Sequence, residues 1–584
     1  MKNEKYSPID RTHCEYLRSQ AKSKFDQVRG TWIDLGRWAL PHRVKWMLSQ
    51  TEGERNNQHI VDPTHILALR SYVAGFLEGN TSATRPWYRI GTADPGLDIK
   101  PDNKEWLEKF ARQTFKALYA GNFYHAAGEF YYDYGTFNTG SYYIDERPNG
   151  TLYFHVLTPG SYFVINNSYG EAVVMVREMS LNVKALVSQY GKKVNGEWDW
   201  SNFSSRVKKL YEDASYATMI DVVHIVMENP DFDANKVQAG SNRRWLSMTY
   251  ESSANTGPNF AGTTFDGGLE IDDEKYLKIS SSKRKPFIIG KSQSSGNFEY
   301  GEKGPTSDAI SLIKSLNKKA IGKDQALEQM LRPPLQGPAS LKKSYITTAA
   351  NSYVPLDANS LSKNGLRPIF EVNPAITAIV QDVADMRQQV DRLYYADYLL
   401  YLSRNPKTRT ATETNAIVQE QQLIIGPNLQ SLNWTHNVPI VDFVMDYVLD
   451  EDPHLPPPPE DLTGQFLRPE FISIFAQAQK AADLPNIDRY VAMIERVGQI
   501  NPSVLAKANL DRLADLYEDR LYLPSGLNRE QSKADAIRQQ AQAQAQKQQQ
   551  IEQMTQMAGA AKDMGIQAGQ QPGQPGQAPP TIKR

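Results

Sequence analysis

Three cations lie close together in one short segment, and their spacing suits contact with phosphate groups. Residues 403–410 contain Arg404, Lys407 and Arg409 and no acidic residue. Arg and Lys side chains attract phosphates, and a group of them on a loop can contact a nucleic-acid backbone without reading its sequence. These three residues are therefore the first candidates for a binding site.

The segment after this loop carries the opposite charge. Residues 411–467 contain no Lys or Arg and nine acidic residues, of which Glu413 and Glu420 lie nearest the loop. If copies of the chain form a ring, the loop becomes a basic collar and the segment an acidic wall. A phosphate backbone would then be attracted by the collar and repelled by the wall, which permits movement. The alternative interpretation is a solvated acidic face beside an ordinary turn.

The composition limits the class of protein. The chain has 584 residues, enough for several hydrophobic cores. Its 65 Lys and Arg residues are balanced by 66 Asp and Glu residues, which argues against a general nucleic-acid coat protein. Cys14 is the single cysteine, so we expect no internal disulfide and a reducing compartment. Residues 1–10 are polar and no long apolar run occurs, so we expect neither a signal peptide nor a membrane segment.

The elements that would position these charges begin with an α+β domain over residues 1–304. Helical periodicity in the first part of the chain gives way to strand-like alternation from about residue 136. Helices are predicted at residues 6–40, 63–77, 103–119 and 180–190, and strands at residues 151–156, 161–165, 172–179, 219–227, 244–250 and 276–279.

The middle of the chain predicts long helices. One covers residues 307–331 and ends before Pro333-Pro334, and a second runs over residues 374–402 with one apolar face. A third follows the basic loop over residues 411–449, with a kink predicted at Gly426-Pro427. Later helices are predicted at residues 469–483, 486–500 and 503–521, and the Gln-rich end from about residue 531 is interpreted as helical or disordered.

The sequence lacks the motifs that mark common catalytic sites. It has no Gly-x4-Gly-Lys-Ser/Thr phosphate loop, no Gly-x-Ser-x-Gly element and no His-Glu-x-x-His element. The missing phosphate loop argues against an ATP-driven motor. The acidic turn at Asp231 departs from a calcium loop at Lys236 and Asn242. We therefore expect no enzyme activity, no cofactor and no metal site.

Several short motifs follow one another along the chain. The first half contains Trp32-Ile33-Asp34-Leu35 before Pro41, Gly79 to Tyr88 with Arg85-Pro86-Trp87, Phe123-Tyr124 to Gly140, and Leu157-Thr158-Pro159-Gly160-Ser161-Tyr162 followed by Gly170 and Arg177. Later come Lys285-Pro286-Phe287, Tyr300-Gly301-Glu302-Lys303-Gly304-Pro305, Leu316-Asn317 to Pro333-Pro334-Leu335, and Thr410-Ala411-Thr412-Glu413. We expect Trp87 to pack in a core rather than to stack on a ligand.

In this order the motifs resemble the head-to-tail connector, or portal, family of short-tailed bacteriophages. Asn138 stands where the family usually has a glycine, and Lys303 lengthens the later motif by one residue. The resemblance covers residues 6–523 and implies a non-enzymatic α+β subunit that forms a ring, expected to be a dodecamer, at one capsid vertex. Double-stranded DNA would pass inward during packaging, driven by a separate ATPase, and outward during ejection.

The resemblance also implies a division of the subunit. The expected parts are a wing at residues 1–305, stem helices at 306–331 and 374–402, a clip at 332–373, a channel loop at 403–410, a long kinked helix at 411–450, a helical crown at 451–527 and a Gln-rich tail at 528–584. Arg404, Lys407 and Arg409 would face the DNA, and Glu413 and Glu420 would belong to the acidic wall.

The implied partners are further copies of the chain, the terminase large subunit, a tail adaptor and capsid or scaffold proteins, with assembly in the host cytoplasm. Two other classes stay open from the sequence. One is a different structural virion component such as a tail adaptor, and the other is an enzyme of the packaging complex.

Overall fold

The computed structural model divides the chain into two units, Met1–Ala482 and Asp483–Arg584. The described residues are 10–48, 57–98, 100–236, 242–252, 275–294, 296, 298–331, 335–336, 367–368, 376–396, 424–472, 484–500, 513 and 531–563. Within these residues, no helix combines the length and the apolar character needed to cross a membrane.

The helices of the first unit vary widely in length. They are α1 (Arg11–Ala39), α2 (Lys45–Leu48), α3 (Thr64–Asn80), α4 (Pro95–Asp98), α5 (Pro101–Ala120), α6 (Phe123–Phe137), α7 (Val183–Tyr190), α8 (Ser205–Glu212), α9 (Pro305–Leu331), α10 (Ile376–Leu393), α11 (424–432) and α12 (Val438–Glu451). A π-helical turn, Asn433–Asn437, joins α11 to α12, and a 3-10 turn covers Glu460–Leu462. The second unit contains α13 (Leu484–Ile500) and α14 (Gln531–Asp563).

The strands belong to the first unit. They are β1 (Tyr88–Thr92), β2 (Thr139–Glu146), β3 (Leu152–Val156), β4 (Tyr162–Asn166), β5 (Ala172–Asn182), β6 (Lys192–Val194), β7 (Glu197–Asp199), β8 (Met219–Glu228), β9 (Trp245–Glu251), β10 (Lys278–Ser282), β11 (Phe287–Lys291), β12 (Leu335–Gln336), β13 (Arg367–Pro368) and β14 (Leu467–Phe471). A five-stranded sheet has the order β10-β9-β8-β5-β4, and a three-stranded sheet has the order β11-β2-β3. Smaller pairs are β1 with β14, β6 with β7 and β12 with β13.

The five-stranded sheet follows from runs of β-branched residues. β5 and β8 pair antiparallel from Val174 opposite Met227 to Asn182 opposite Met219. Both faces of β8 are covered over most of its length, so its apolar residues form a nearly continuous run instead of alternating with polar ones. The strands predicted in this region appear as β3, β4, β5, β8, β9 and β10. The mixed helix-and-sheet character predicted from the sequence is confirmed.

Separate motifs of the sequence meet in one aromatic core. The ring centroid of Trp32 lies 5.3 Å from that of Phe137, 5.2 Å from that of Tyr300 and 6.4 Å from that of Tyr162. None of these four side chains is more than 2% exposed. Aromatic pairs at such distances add stability beyond the area that they bury. These motifs therefore share a structural role, although they are far apart in the sequence.

Asn138 joins α6 to β2 in a left-handed conformation, with φ 60°. Asn adopts this conformation more readily than most other non-glycine residues, so it can occupy a position whose backbone favours glycine. Its side-chain amide donates to the Glu302 carbonyl over 3.0 Å and to Ser307 Oγ over 3.2 Å. A Cβ on Gly304 would lie 2.1 Å from Asn138 Oδ1, so this position requires glycine.

Helices α9 and α10 pack against each other through buried apolar side chains. Leu316 of α9 and Val383 of α10 are at most 4% exposed, and Lys319 Nζ donates to Asp382 Oδ2 over 2.5 Å. Of the helix predicted over residues 374–402, α10 ends at Leu393 and Ala396 is helical again, while residues 397–402 lie outside the described residues. Tyr395 has φ 57°, a left-handed conformation that cannot continue a right-handed helix.

A strand replaces the start of the helix that was predicted from residue 469. In β14, Phe471 lies opposite Tyr88 of β1 and Glu470 opposite Arg89, whose Nε donates to Glu470 Oε2 over 2.6 Å. Pro469 is tolerated because this two-stranded pair consists of edge strands. The helix predicted at residues 486–500 is found as α13, whereas residues 473–483 and most of 503–521 lie outside the described residues.

Candidate functional site

The residues predicted to contact DNA lie outside the described residues. Arg404, Lys407 and Arg409 fall within residues 397–423, and so do Glu413 and Glu420. Their roles therefore stay predictions. The structure does describe the two segments that flank residues 397–423.

These two flanking segments are anchored side by side in the core. Asn428 Nδ2 of α11 donates to the Tyr395 hydroxyl over 2.9 Å. The Tyr394 hydroxyl lies 2.8 Å from Thr306 Oγ1 at the start of α9. The flanking side chains that are at most 1% exposed are Tyr394, Ala396, Ile425 and Leu432. The chain thus leaves for the predicted channel loop, and returns from it, at neighbouring fixed points.

A π-helical turn interrupts the long helix after the predicted loop. The amide of Val438 donates to the carbonyl of Asn433, five residues earlier. Pro439 follows directly and lacks the N–H that would bond to the Thr435 carbonyl in a regular α-helix. A break or kink was predicted at Gly426-Pro427; α11 runs unbroken through both residues, and the irregular turn lies at Asn433–Asn437.

The π-helical turn places His436 and Asn437 in a buried polar cluster. Asn437 Nδ2 donates to Asn80 Oδ1 over 3.0 Å, and Asn80 Nδ2 donates to Asn437 Oδ1 over 3.4 Å. His436 Nδ1 lies 2.7 Å from Asn437 Oδ1, and the His436 ring stacks on Phe130 with centroids 4.1 Å apart. Burial lowers the pKa of His436 to about 4, so the ring is neutral near pH 7. The cluster ties the long helix to the end of α3.

The described end of the acidic segment is a row of aspartates on α12. Asp442, Asp446 and Asp450 recur every four residues and so share one side of the helix. Partial burial, together with repulsion by Asp446, raises the pKa of Asp442 to about 6. Asp450 Oδ2 accepts a hydrogen bond from Arg284 Nη2 over 2.7 Å. Part of this negative charge is therefore balanced within the chain, and the role of Glu413 and Glu420 in an acidic wall stays a prediction.

Trp87 has the packing role that was expected. Its side chain is 1% exposed, and its ring is stacked with Phe123 and Phe471, each at a centroid distance of 6.2 Å. The polar cluster around Asn437 was not predicted. Asn80 belongs to a motif, but nothing in one sequence pairs it with a residue 357 positions later.

The comparisons with known proteins identify the family. The family model described as "Bacteriophage head to tail connecting protein" matches residues 11–528. The chain belongs to this family. The match includes nearly the whole first unit and part of the second, and it contains all the motifs from Trp32 to Glu413.

Two phage relatives match over most of their lengths. The "Probable portal protein" of Bordetella phage BPP-1 is 28% identical over 549 residues, which covers 94% of this chain and 94% of that protein. The "Portal protein" of Salmonella phage epsilon15 is 27% identical over 503 residues, with coverage of 86% and 85%. The connector, or portal, function predicted from the ordered motifs is therefore confirmed.

Solved structures of a gene transfer agent particle show a weaker likeness. "Virion of native gene transfer agent (GTA) particle" matches with a TM-score of 0.34 and 10% identity, covering 79% of this chain and 96% of that chain. "Neck of empty GTA particle computed with C6 symmetry" matches with a TM-score of 0.33 and the same identity and coverage.

Proposed function

We propose that this connector subunit forms a dodecameric ring at one capsid vertex of a short-tailed phage, with a central channel for double-stranded DNA. The observation that carries the proposal is the match of the connector family to residues 11–528, supported by phage portal relatives of similar length. The subunit acts mechanically and not as an enzyme. A separate packaging ATPase drives the DNA inward, and ejection releases it.

The proposed channel chemistry is attraction at a basic loop and repulsion beside it. Arg404, Lys407 and Arg409 contact phosphates as the DNA passes. Glu413 and Glu420 repel the DNA phosphates, so that the duplex is not held at one position. In a ring, every subunit contributes the same charges, so one substitution changes the channel at every position. The hydrogen bond from Asn428 to Tyr395 supports this proposal, because it holds together the two described segments that flank residues 397–423.

Electron microscopy of the purified full-length protein tests the ring. The expected result is a closed ring of about twelve copies with an axial opening wide enough for duplex DNA, lined by residues 403–410. A stable assembly without an axial opening would contradict the conduit and favour another structural role, such as a tail adaptor.

A triple substitution tests the channel loop. Arg404→Ala, Lys407→Ala and Arg409→Ala together should leave the ring intact but reduce the amount of DNA retained in assembled heads, because phosphate contacts are lost from every subunit. Arg112→Ala, Lys208→Ala and Lys236→Ala remove three exposed charges elsewhere and serve as the matched control. Retention equal to that of the control would refute the assignment of the loop.

The proposed partners bind outside the channel. The clip at residues 332–373 would dock first the terminase large subunit and then the tail adaptor, while capsid or scaffold proteins hold the ring at the vertex during assembly in the host cytoplasm. Replacing residues 337–366 with a short Gly/Ser linker should abolish binding of terminase in a pull-down assay while the ring still forms. Unchanged binding would place the docking surface elsewhere.

A further inference from the structure

A basic cluster lies between the two main sheets, away from the predicted channel loop in the sequence. The guanidinium of Arg177 in β5 lies over the ring of Tyr143 in β2, 4.8 Å from its centroid. In the part of the chain that the structure describes, the Arg177 side chain forms no ion pair or hydrogen bond, and its buried Nε has no acceptor. A guanidinium has five N–H donors, and buried donors are normally satisfied. Arg177 thus keeps unused donors in a place that is partly shielded from water.

Two histidines border this arginine. His224 of β8 lies opposite Arg177 in the strand register and is 3% exposed. Its Nε2 lies 2.7 Å from Ser247 Oγ, while its buried Nδ1 has no partner among the described residues. His155 of β3 has its ring 6.2 Å from that of Tyr143. Burial lowers the pKa of both histidines, and the nearby charge of Arg177 lowers it further.

Two further cations stand at the rim of the cluster. The guanidinium of Arg147 lies 4.1 Å over the ring of Tyr153, which in turn is 4.5 Å from the ring of His155. Lys278 of β10 is exposed and adds to the positive potential at His224. Among the described residues, neither Arg147 nor Lys278 has a carboxylate partner.

One carboxylate opposes these cations. Asp145 of β2 is exposed, and its charge acts on both Arg177 and His155. It forms no ion pair with Arg177, so the guanidinium edge stays open to another acceptor. Three cations against one carboxylate leave the cluster with an excess of positive charge.

We propose that this cluster, formed by Arg177, His155, His224, Arg147 and Lys278, is a binding site for a phosphate-class oxyanion. The Arg177 guanidinium lies over the Tyr143 ring, and its buried Nε–H has no acceptor among the described residues, so its N–H groups are left to bind a ligand. Paired N–H donors on such an edge match two oxygens of a phosphate group, which makes Arg the side chain best suited to this contact. Arg147 and Lys278 add charge at the rim, and Asp145 limits the affinity. The site lies outside residues 403–410 and does not depend on the proposed channel.

Calorimetric titration of the full-length protein with inorganic phosphate, at constant ionic strength, tests the site. Arg177→Gln should weaken phosphate binding by about tenfold or more. The affinity of Arg177→Lys should lie between those of the unmodified protein and Arg177→Gln, because Lys keeps the charge and loses the paired donors. Asp145→Asn removes the opposing charge and should tighten binding by about threefold. Arg112→Gln, at a 72% exposed side chain on α5, is the control and should bind as the unmodified protein does.

The two sources of phosphate are separated by competition with a short DNA duplex. Displacement of inorganic phosphate by the duplex, lost in Arg177→Gln, would identify the DNA backbone as the ligand. Failure of the duplex to displace phosphate would identify a free phosphate compound. The proposal is overturned if folded Arg177→Gln binds phosphate as tightly as the control, or if phosphate binds at high concentration only as an adventitious ion. Should Arg177→Gln fail to fold, an unchanged affinity in Asp145→Asn overturns it.

Discussion

At the scale of single residues, the buried amide pair of Asn80 and Asn437 has a function that composition does not reveal. Each buried amide donates a hydrogen bond to the other, and burial keeps the neighbouring His436 ring neutral. Leaving one buried polar group unpaired costs about 1–3 kcal/mol, so this cluster fixes one arrangement of the π-helical turn. The long helix therefore has a defined position relative to α3.

His436 makes the stability of the first unit depend on pH. Its pKa is about 4 in the folded protein against an ordinary 6.5, so between these values the unfolded chain binds a proton that the folded chain excludes. The contribution of neutral His436 to the free energy of unfolding is complete above pH 6.5 and is lost as the pH falls toward 4. We expect the free energy of unfolding of the unmodified protein to fall by about 2 kcal/mol more than that of His436→Gln between pH 7.5 and pH 5.

Urea unfolding followed by tryptophan fluorescence measures this difference. The exposed His125 provides the control, since His125→Gln should retain the full pH dependence of the unmodified protein. If the free energy of unfolding depends on pH in the same way in the unmodified protein and in His436→Gln, His436 is not the cause of the pH dependence.

At the scale of elements, the chain is held together by connections between segments that are distant in sequence. Asn138 at the end of α6 binds the segment before α9, and Tyr395 after α10 binds α11. The β1–β14 pair joins residues more than 370 positions apart. Such contacts bring together short segments that are widely separated in the sequence.

Substitution of Asn138 should separate the effect of backbone conformation from that of side-chain bonding. Asn138→Gly keeps the left-handed conformation but loses the bonds to Glu302 and Ser307, at a cost of about 1–2 kcal/mol. Asn138→Ala also adds backbone strain and should cost about 1 kcal/mol more. Asn195, exposed and with φ 53°, is the matched control, because Asn195→Ala should show the strain alone. Equal unfolding free energies for Asn138→Gly and Asn138→Ala would contradict this account.

At the scale of the whole molecule, the Gln-rich tail belongs to a unit separate from the sheets and their core. The described side chains of α14, from Ile537 to Thr555, are exposed, so this helix buries little apolar surface. Hydrophobic burial is the main source of folding stability, and α14 therefore contributes little to the first unit.

Two truncations test this division. Removal of residues 531–584 should leave the melting temperature of the first unit within about 1 °C of that of the full chain. Ending the chain after residue 466 also removes β14, exposes the edge of β1 and the ring of Trp87, and should lower the melting temperature by several degrees. Differential scanning calorimetry distinguishes these results. A large fall in melting temperature on removal of residues 531–584 alone would show that the tail supports the core.

The family, the mixed fold class and most of the regular elements could be predicted from the amino-acid sequence. Ordered motifs such as Trp32 to Pro41 and Tyr300 to Pro305 were sufficient for the family, and periodicity located β5, β8, α9 and α13, because these patterns are local properties of the chain. The basic loop at residues 403–410 was also visible from composition, and its role in the channel stays a prediction.

The contacts between distant residues could not be predicted and became known from the three-dimensional structure. The end of α10 at Leu393, the π-helical turn and the strand at Leu467–Phe471 depend on packing partners that lie elsewhere in the chain. The same is true of the Asn80–Asn437 pair and of the cluster around Arg177. Local propensity differs by less than about 1 kcal/mol between most residues, so such tertiary contacts override it.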